Sequence, residues 1–223
     1  MSIAENLNKI KSTLPQSVKL VAVSKTKPNA DILEAYSEGQ RIFGENKVQD
    51  LVQKYETLPK DIKWHFIGHL QTNKIKYIAP FISLIHAVDS LKLIKAIDKE
   101  AQKNDRIIDV LLQFHIAEEQ TKFGLSIDEA KDLINSAEFK ALKNVKVIGV
   151  MGMATFTDNV EQIADEFKLL KNIFDELKQD YFEGDQSFSE ISMGMSDDYI
   201  IAVEQGSTMV RIGSTIFGPR AYH

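Results

Sequence analysis

Apolar segments of strand length alternate with amphipathic segments of helix length along the chain, and this alternation restricts the fold more than any other feature. The predicted strands begin near residues 20, 41, 64, 84, 109, 145, 188 and 209. Consecutive starts lie about 20 to 43 residues apart, which leaves room for a crossover helix between parallel strands. Eight such units predict an α/β fold, a closed (β/α)8 barrel of the TIM type. An open doubly wound sheet is the alternative.

The segments between the strands carry apolar residues at helical spacing. Asn29 is the expected cap of the second helix and Gly39 its end, while Asp89 or Ser90 is expected to cap the fifth. Because no Pro-, Gly- or Ser-rich linker interrupts the alternation, we expect a single domain over residues 1–223. The predicted helices cover residues 3–14, 29–38, 47–56, 73–79, 90–103, 127–137, 159–180 and 197–205.

Composition excludes several classes of protein. The formal net charge of −5 argues against a nucleic-acid partner, which requires a basic face. The chain has no cysteine, so disulfides, thiolate metal sites and cysteine nucleophiles are excluded. No apolar run approaches the ~18 residues of a membrane span, and the N-terminal residues do not form a signal peptide. We therefore expect a cytoplasmic protein that binds neither nucleic acid nor membranes.

Functional sites of such barrels lie at the carboxyl ends of the strands. Lys25 follows the strand-like run KLVAV and shares its strand parity with Val21 and Val23. If those valines face the barrel interior, the Lys25 amine does too, and a sheltered amine can form a Schiff base with an aldehyde. The alternative is a strand-end lysine whose amine extends to water.

Two turns near the C-terminus have the composition of a phosphate site. Residues 192–198 (SMGMSDD) follow the seventh strand, and residues 211–218 (RIGSTIFG) carry the eighth strand into the next turn. Glycines let the backbone approach a ligand closely, and free amide N–H groups at a helix start attract phosphate. The alternative is a pair of ordinary βα turns in which Ser196 is a helix cap.

Arg211 shares its parity with Met209 and Gly213 on an otherwise apolar strand. A guanidinium that faces the interior of a barrel needs an acceptor, because an unpaired buried charge is very costly. The ring nitrogen of a cofactor is one such acceptor. A salt bridge to Glu45 or Asp89, or a position facing solvent, is the alternative.

The histidines give weaker signals. His65 and His69 are four residues apart, but their segment is strand-like and lacks the glutamate of a helical zinc motif, so we predict no metal site. His69 is expected near the functional site. His65, His86 and His115 are expected to be structural residues of the core.

Five segments together resemble the pyridoxal phosphate homeostasis protein family. They are AVSKTKP (22–28), FGEN (43–46), WHFIGHLQTNK (64–74), SMGMSDD (192–198) and VRIGSTIFG (210–218). The resemblance covers nearly the whole chain, and it implies the fold of the alanine racemase N-terminal barrel.

The resemblance also implies a set of cofactor contacts. Lys25 matches the lysine that forms the internal aldimine with pyridoxal 5'-phosphate (PLP). Arg211 matches the residue beside the pyridine nitrogen, and Asn46 matches a residue that flanks the ring. The other implied contacts are a phosphate cradle and a residue at the end of strand six, namely Ser192, Met195, Ser196, Gly213, Ser214 and Met153.

The function implied by the resemblance is PLP homeostasis. Such a protein holds PLP and passes it to PLP-dependent apo-enzymes, without catalytic turnover. A monomer is expected, with a dimer as the alternative. Alanine racemases add a second domain that supplies a catalytic tyrosine, and this chain ends soon after its eighth strand. A PLP-dependent racemase is the alternative function, and a barrel that binds another phosphorylated metabolite is a third.

Overall fold

The computed structural model of the chain describes residues 2–119 and 123–219. Within them, parallel strands pair in sequence order and the last strand pairs with the first, so the sheet closes into a barrel. This confirms the predicted (β/α)8 fold, and the open sheet was wrong. The strands are β1 (Lys19–Val23), β2 (Ile42–Glu45), β3 (Lys63–Phe66), β4 (Leu84–Val88), β5 (Ile108–Gln113), β6 (Val145–Met151), β7 (Glu190–Ser192) and β8 (Met209–Ile212).

Helices follow each strand and surround the ring. A short 3-10 turn, Thr72–Lys74, leads into the fourth of them. The helices are α1 (Ile3–Thr13), α2 (Asn29–Ser37), α3 (Val48–Thr57), α4 (Ile75–Ile78), α5 (Leu91–Gln102), α6 (Ile127–Asn135), α7 (Ala137–Lys140), α8 (Val160–Tyr181), α9 (Tyr199–Glu204) and α10 (Ser214–Phe217).

Several helix ends differ from the prediction for local reasons. Asn29 is the first residue of α2 rather than its cap, since Pro28 occupies the extended cap position. The segment predicted as one helix over 127–137 is broken at Ser136, whose extended backbone ends α6 and whose hydroxyl caps α7. Ser90 caps α5, as predicted. The short helix α10 was not predicted.

Strand parity separates two apolar regions. Leu20 and Ala22 belong to the large core between the sheet and the helices, whereas Val21 belongs to a small separate cluster. Because neighbouring residues of a strand face opposite sides, the small cluster fills the inside of the ring. Its buried members are Val21, Leu84, Leu111, Met151 and Met209.

Among the described residues, no helix combines the length and the apolar composition needed to cross a bilayer. The organisation as a single domain over residues 1–223 stays a prediction.

Candidate functional site

Lys25 lies just beyond the carboxyl end of β1, on the strand face that carries Val21 into the barrel interior. Its side chain is half-buried and makes contacts within the protein. The backbone turns sharply here, because the amide of Lys27 donates to the carbonyl of Ser24 at 3.0 Å and Thr26 has φ of 65°. A non-glycine residue in this region is uncommon and strained, so the turn that presents Lys25 is held by its surroundings.

A buried ion pair lies behind that turn. Oε1 of Glu45 accepts hydrogen bonds from the Ser24 hydroxyl at 2.6 Å and from the Lys54 ammonium at 2.7 Å. The Lys54 ammonium also donates to the carbonyl of Ser24 at 2.8 Å. Burial raises the pKa of Glu45 although Lys54 opposes the shift. The pair therefore joins the ends of β1 and β2 to α3 on the outer side of the ring.

Asn46 follows β2 on the same rim and is half-buried. The chain after β3 passes close to it at Gly68, where a Cβ atom would lie 2.5 Å from the Asn46 carbonyl oxygen. Glycine is thus the residue that allows this approach. The next residue, His69, stacks on Phe123 with ring centroids 5.2 Å apart. Asn46 and His69 therefore lie on neighbouring loops after β2 and β3, although β3 ends at Phe66, three residues before His69.

The two predicted phosphate turns meet. The amide of Gly213 donates to the Ser196 hydroxyl at 3.3 Å, which joins the turn after β8 to the turn after β7. The turn after β7 is shaped by Asp198, whose carboxylate accepts a hydrogen bond from the amide of Met195 at 2.6 Å. The amides of Ser214 and Thr215 have no acceptor among the described residues, and both residues are exposed. These N–H groups can receive an anion.

Lys27, in the loop after β1, contacts the segment that follows β8. Its ammonium donates to the carbonyl oxygens of Phe217, Gly218 and Pro219 at 2.8, 3.2 and 3.1 Å. The loop that carries Lys25 and the segment that follows α10 are thereby held side by side. A Cβ atom on Gly213 would lie 3.2 Å from the carbonyl of Val23, so β8 also passes close to β1 near the rim.

Arg211 faces the barrel interior and is only 4% exposed. Its guanidinium donates to the carbonyl of Ser192 at 2.8 Å, to the Ser192 hydroxyl at 2.6 Å and to the carbonyl of Gly152 at 3.1 Å. The alternative of a salt bridge to Glu45 is wrong, since Glu45 lies outside the ring. Burial lowers the pKa of Arg211 to about 10, which leaves it charged at neutral pH.

Three of the five guanidinium N–H donors of Arg211 are used by these contacts. The described residues supply no acceptor for the other two, so Arg211 keeps donors for a ligand. Met153, two residues beyond the end of β6, is half-buried and packs against the interior cluster. Met195 is 37% exposed at the rim.

Ser192 and His86 form a fully buried contact inside the ring. Nδ1 of His86 lies 2.9 Å from the Ser192 hydroxyl, and its Nε2 lies 3.0 Å from Nδ1 of His65. Burial lowers the pKa of His65 to about 3 and that of His86 well below its ordinary value, so both rings are neutral. The Ser192 hydroxyl therefore faces Arg211 and His86 rather than the outer rim.

Sequence reasoning missed three contributors to this site. Lys27 lies two residues beyond the predicted lysine, and Asp198 lies within the predicted phosphate turn without having been singled out. The third is the Glu45–Lys54 pair. The sequence signal for this pair is Glu45, the glutamate of FGEN. A carboxylate buried at a strand end needs a cation nearby.

Known proteins resemble this chain over most of its length. Residues 1–221 match the family model described as alanine racemase, N-terminal domain. The pyridoxal phosphate homeostasis protein of Aquifex aeolicus is 41% identical over 92% of this chain and 88% of that protein. The chain belongs to the pyridoxal phosphate homeostasis protein family. The human member is 40% identical over 92% of this chain and 77% of its own length.

Several solved structures are similar to this family member over nearly its whole length. PipY of Synechococcus elongatus PCC7942, in a structure without PLP, superposes with a TM-score of 0.90 at 35% identity, covering 97% of this chain and all of PipY. Its structure with PLP bound gives a TM-score of 0.87. Alanine racemase from E. faecalis shares the fold at 14% identity, with a TM-score of 0.70, and the match covers 58% of that chain.

Proposed function

We propose that this member of the family binds PLP at the barrel rim and acts in intracellular PLP homeostasis as a carrier or buffer. The observation that carries the proposal is the convergence of Lys25, the Gly213–Ser196 junction and Arg211 on one end of the ring. These groups suit the aldehyde, the phosphate and the ring nitrogen of PLP. The family name and the structure of PipY with PLP bound support the choice of ligand.

Lys25 is the residue that we propose to be covalently linked. Its amine would hold PLP as an imine with the aldehyde carbon, in which a C=N bond takes the place of the C=O bond and the oxygen is released as water. The carboxylate of Glu45 and the cation of Lys54 cancel within their own pair behind the strand. They therefore position the turn without offering a competing charge to the amine.

The phosphate is proposed to bind between the two joined turns. The free amides of Ser214 and Thr215 supply N–H donors, and hydroxyls of the same turns add to them. Glycine at 194 and 213 lets both turns pack closely, because an added Cβ would lie 2.7 Å from the Cβ of Ala202 and 3.2 Å from the carbonyl of Val23, respectively. The residues assigned to this cradle are Met195, Ser196, Gly213 and Ser214, with Ser192 acting from below through Arg211.

We propose that the pyridine ring of PLP would be held over Arg211, between Asn46 and Met153. PLP supplies an electron sink that is strongest when its ring nitrogen is protonated. Arg211 remains charged at neutral pH and donates a hydrogen bond without giving up its proton. This arrangement disfavours carbanion chemistry and favours storage over turnover. A PLP-dependent racemase is the second candidate, since the fold is shared with alanine racemase.

We further propose that the protein works in the cytoplasm and delivers PLP to apo-enzymes, as a monomer or a dimer. Transfer from the holo-protein to a purified apo-enzyme, followed by the activity regained, tests the carrier role. Holo-protein incubated with L- or D-alanine should show no sustained interconversion by chiral chromatography. Sustained turnover would favour the racemase.

The covalent link is tested by absorbance of the PLP-loaded protein before and after borohydride, with mass mapping of the labelled peptide. Lys25→Ala should abolish the Schiff base band and leave the unfolding curve unchanged. Lys27→Ala is the matched control, because it removes a lysine two residues away in the same loop. A band that persists in Lys25→Ala and disappears in Lys27→Ala would show that Lys27, and not Lys25, binds the cofactor covalently.

A further inference from the structure

A chain of four polar side chains runs through the inside of the barrel below the rim. Arg211 donates to the Ser192 hydroxyl at 2.6 Å, this hydroxyl lies 2.9 Å from Nδ1 of His86, and Nε2 of His86 lies 3.0 Å from Nδ1 of His65. His86 and Ser192 are fully buried, and His65 is 5% exposed. The four residues come from four different strands, β8, β7, β4 and β3.

The direction of each hydrogen bond in this chain follows from counting donors. Ser192 already accepts from Arg211, a group that can only donate. The hydroxyl proton of Ser192 then has His86 Nδ1 as its acceptor among the described residues. With the Ser192 proton directed to Nδ1, His86 carries its own proton on Nε2 and donates it to Nδ1 of His65. Both neutral rings are thereby held in one tautomer, with the proton on Nε2.

We propose that His86, supported by His65, is a positioning residue that holds the guanidinium of Arg211 beneath the cofactor ring through the Ser192 hydroxyl. This inference rests on the proposed PLP site in one respect, namely that Arg211 meets the ring nitrogen. His86 itself does not reach the rim, so it acts on the ligand only through Ser192 and Arg211. The guanidinium keeps two N–H donors for the ligand while its others are fixed from below.

The reason for such a device lies in the geometry of recognition. A guanidinium on a long side chain has many rotamers, and each one lost on binding reduces affinity. A hydroxyl whose proton is already directed to His86 presents its lone pair to Arg211 in one orientation. Removing His86 leaves that hydroxyl proton without its buried acceptor, and the hydroxyl then competes for other partners.

The test compares two substitutions of His86 with a packing control. His86→Leu removes the acceptor, and His86→Asn keeps an amide oxygen near the former Nδ1 position while cutting the link to His65. Leu84→Ala opens the neighbouring apolar cluster without touching the chain. We expect His86→Leu to weaken PLP binding about tenfold and to shift the absorbance maximum of the bound cofactor. His86→Asn should stay within about threefold of wild type.

Leu84→Ala should lower the unfolding temperature without either change in binding or absorbance. A His86→Leu variant that binds PLP with unchanged affinity and spectrum would overturn the positioning role. A loss in Leu84→Ala equal to that in His86→Leu would also overturn it, because packing alone would then explain both. If His86→Leu does not fold, Ser192→Ala breaks the same link and is judged by the same two readouts.

A measurement on the PLP-free protein keeps the inference separate from the proposed function. Long-range 1H–15N correlation spectra report which nitrogen of each histidine carries the proton. We expect Nε2–H for both His65 and His86, and Nδ1–H on His86 would contradict the hydrogen-bond chain whatever the ligand. Conversely, failure of wild type to bind PLP would overturn the proposed function while leaving the tautomer result intact.

Discussion

The ammonium of Lys54 lies 2.7 Å from Oε1 of Glu45, and both groups are buried behind the turn that presents Lys25. The contact joins α3 to the end of β2, and the second bond of Lys54 reaches the carbonyl of Ser24 at the end of β1. A pair in this place is a structural support for the turn that carries Lys25. The contribution of this ion pair to the free energy of unfolding can be separated from the cost of burying the two side chains by replacing one partner and then both.

Lys54→Met should destabilise the protein by about 3 kcal/mol or more, because a buried carboxylate loses its cation. The double variant Glu45→Leu with Lys54→Met should recover most of this loss, since an apolar pair of similar volume needs no compensation. Urea unfolding at pH 7 measures both. Equal losses in the single and double variants would show that the Ser24 contact, not the charge pair, carries the stability.

Thr26→Gly should raise the free energy of unfolding by about 0.5 kcal/mol. The left-handed backbone at φ of 65° costs an L-residue roughly 1–2 kcal/mol, and the extra freedom of glycine in the unfolded chain offsets part of that. Lys9→Gly, at an exposed position within α1, is the control and should lose about 1 kcal/mol. Similar losses at both positions would contradict the strain at Thr26.

Acid should destabilise the protein through its neutral histidines. Burial holds the pKa of His65 at about 3, below the value near 6.5 of an unfolded histidine. The unfolded state therefore binds more protons between these values. Stability is fully present above pH 6.5 and falls as the pH drops toward 3, by up to about 1.4 kcal/mol per pH unit for each such group.

His65→Asn keeps an amide beside His86 but cannot titrate in this range. Its unfolding free energy, measured in urea from pH 7 to pH 4, should decline about 1.4 kcal/mol per pH unit less steeply than that of wild type. Parallel curves for the two proteins would mean that His65 takes up no proton on unfolding.

Gly194→Ala should cost more than Gly39→Ala, although both glycines have positive φ. An added Cβ at Gly39 meets nothing within 4 Å, so only backbone strain of about 1 kcal/mol is expected. At Gly194 it would lie 2.7 Å from the Cβ of Ala202, which adds roughly 1–3 kcal/mol of overpacking. Chemical denaturation gives the difference, and PLP binding should weaken only in Gly194→Ala. Equal costs would show that the turn after β7 can relax.

Strand parity was enough to predict which side of the sheet several residues near the candidate site occupy. The alternation of Val21, Val23 and Lys25, and of Met209, Arg211 and Gly213, predicts inward-facing positions from a period of two, and Val21 and Met209 do lie in the interior cluster. The meeting of the turns after β7 and β8 follows from the closure of eight units.

Contacts that depend on register could not be predicted in the same way. His65 lies beside His86 because His65 pairs with Leu84 across the β3–β4 ladder, and that offset is set by the tilt of the whole ring. The Glu45–Lys54 contact depends likewise on where α3 begins and how it crosses the sheet. Helix α10 has four residues, too few for a periodic pattern to reveal it.

The polar chain from Arg211 to His65 occupies space that branched aliphatic side chains fill in most barrels of this type. In the proposed site, ligand recognition and the packing of the barrel interior consequently depend on the same four side chains. A single substitution among these residues would therefore change both ligand binding and the packing of the barrel interior. Substitutions that make the barrel more stable at these positions should lower its affinity for the ligand. We therefore expect the four residues to change together or to stay unchanged.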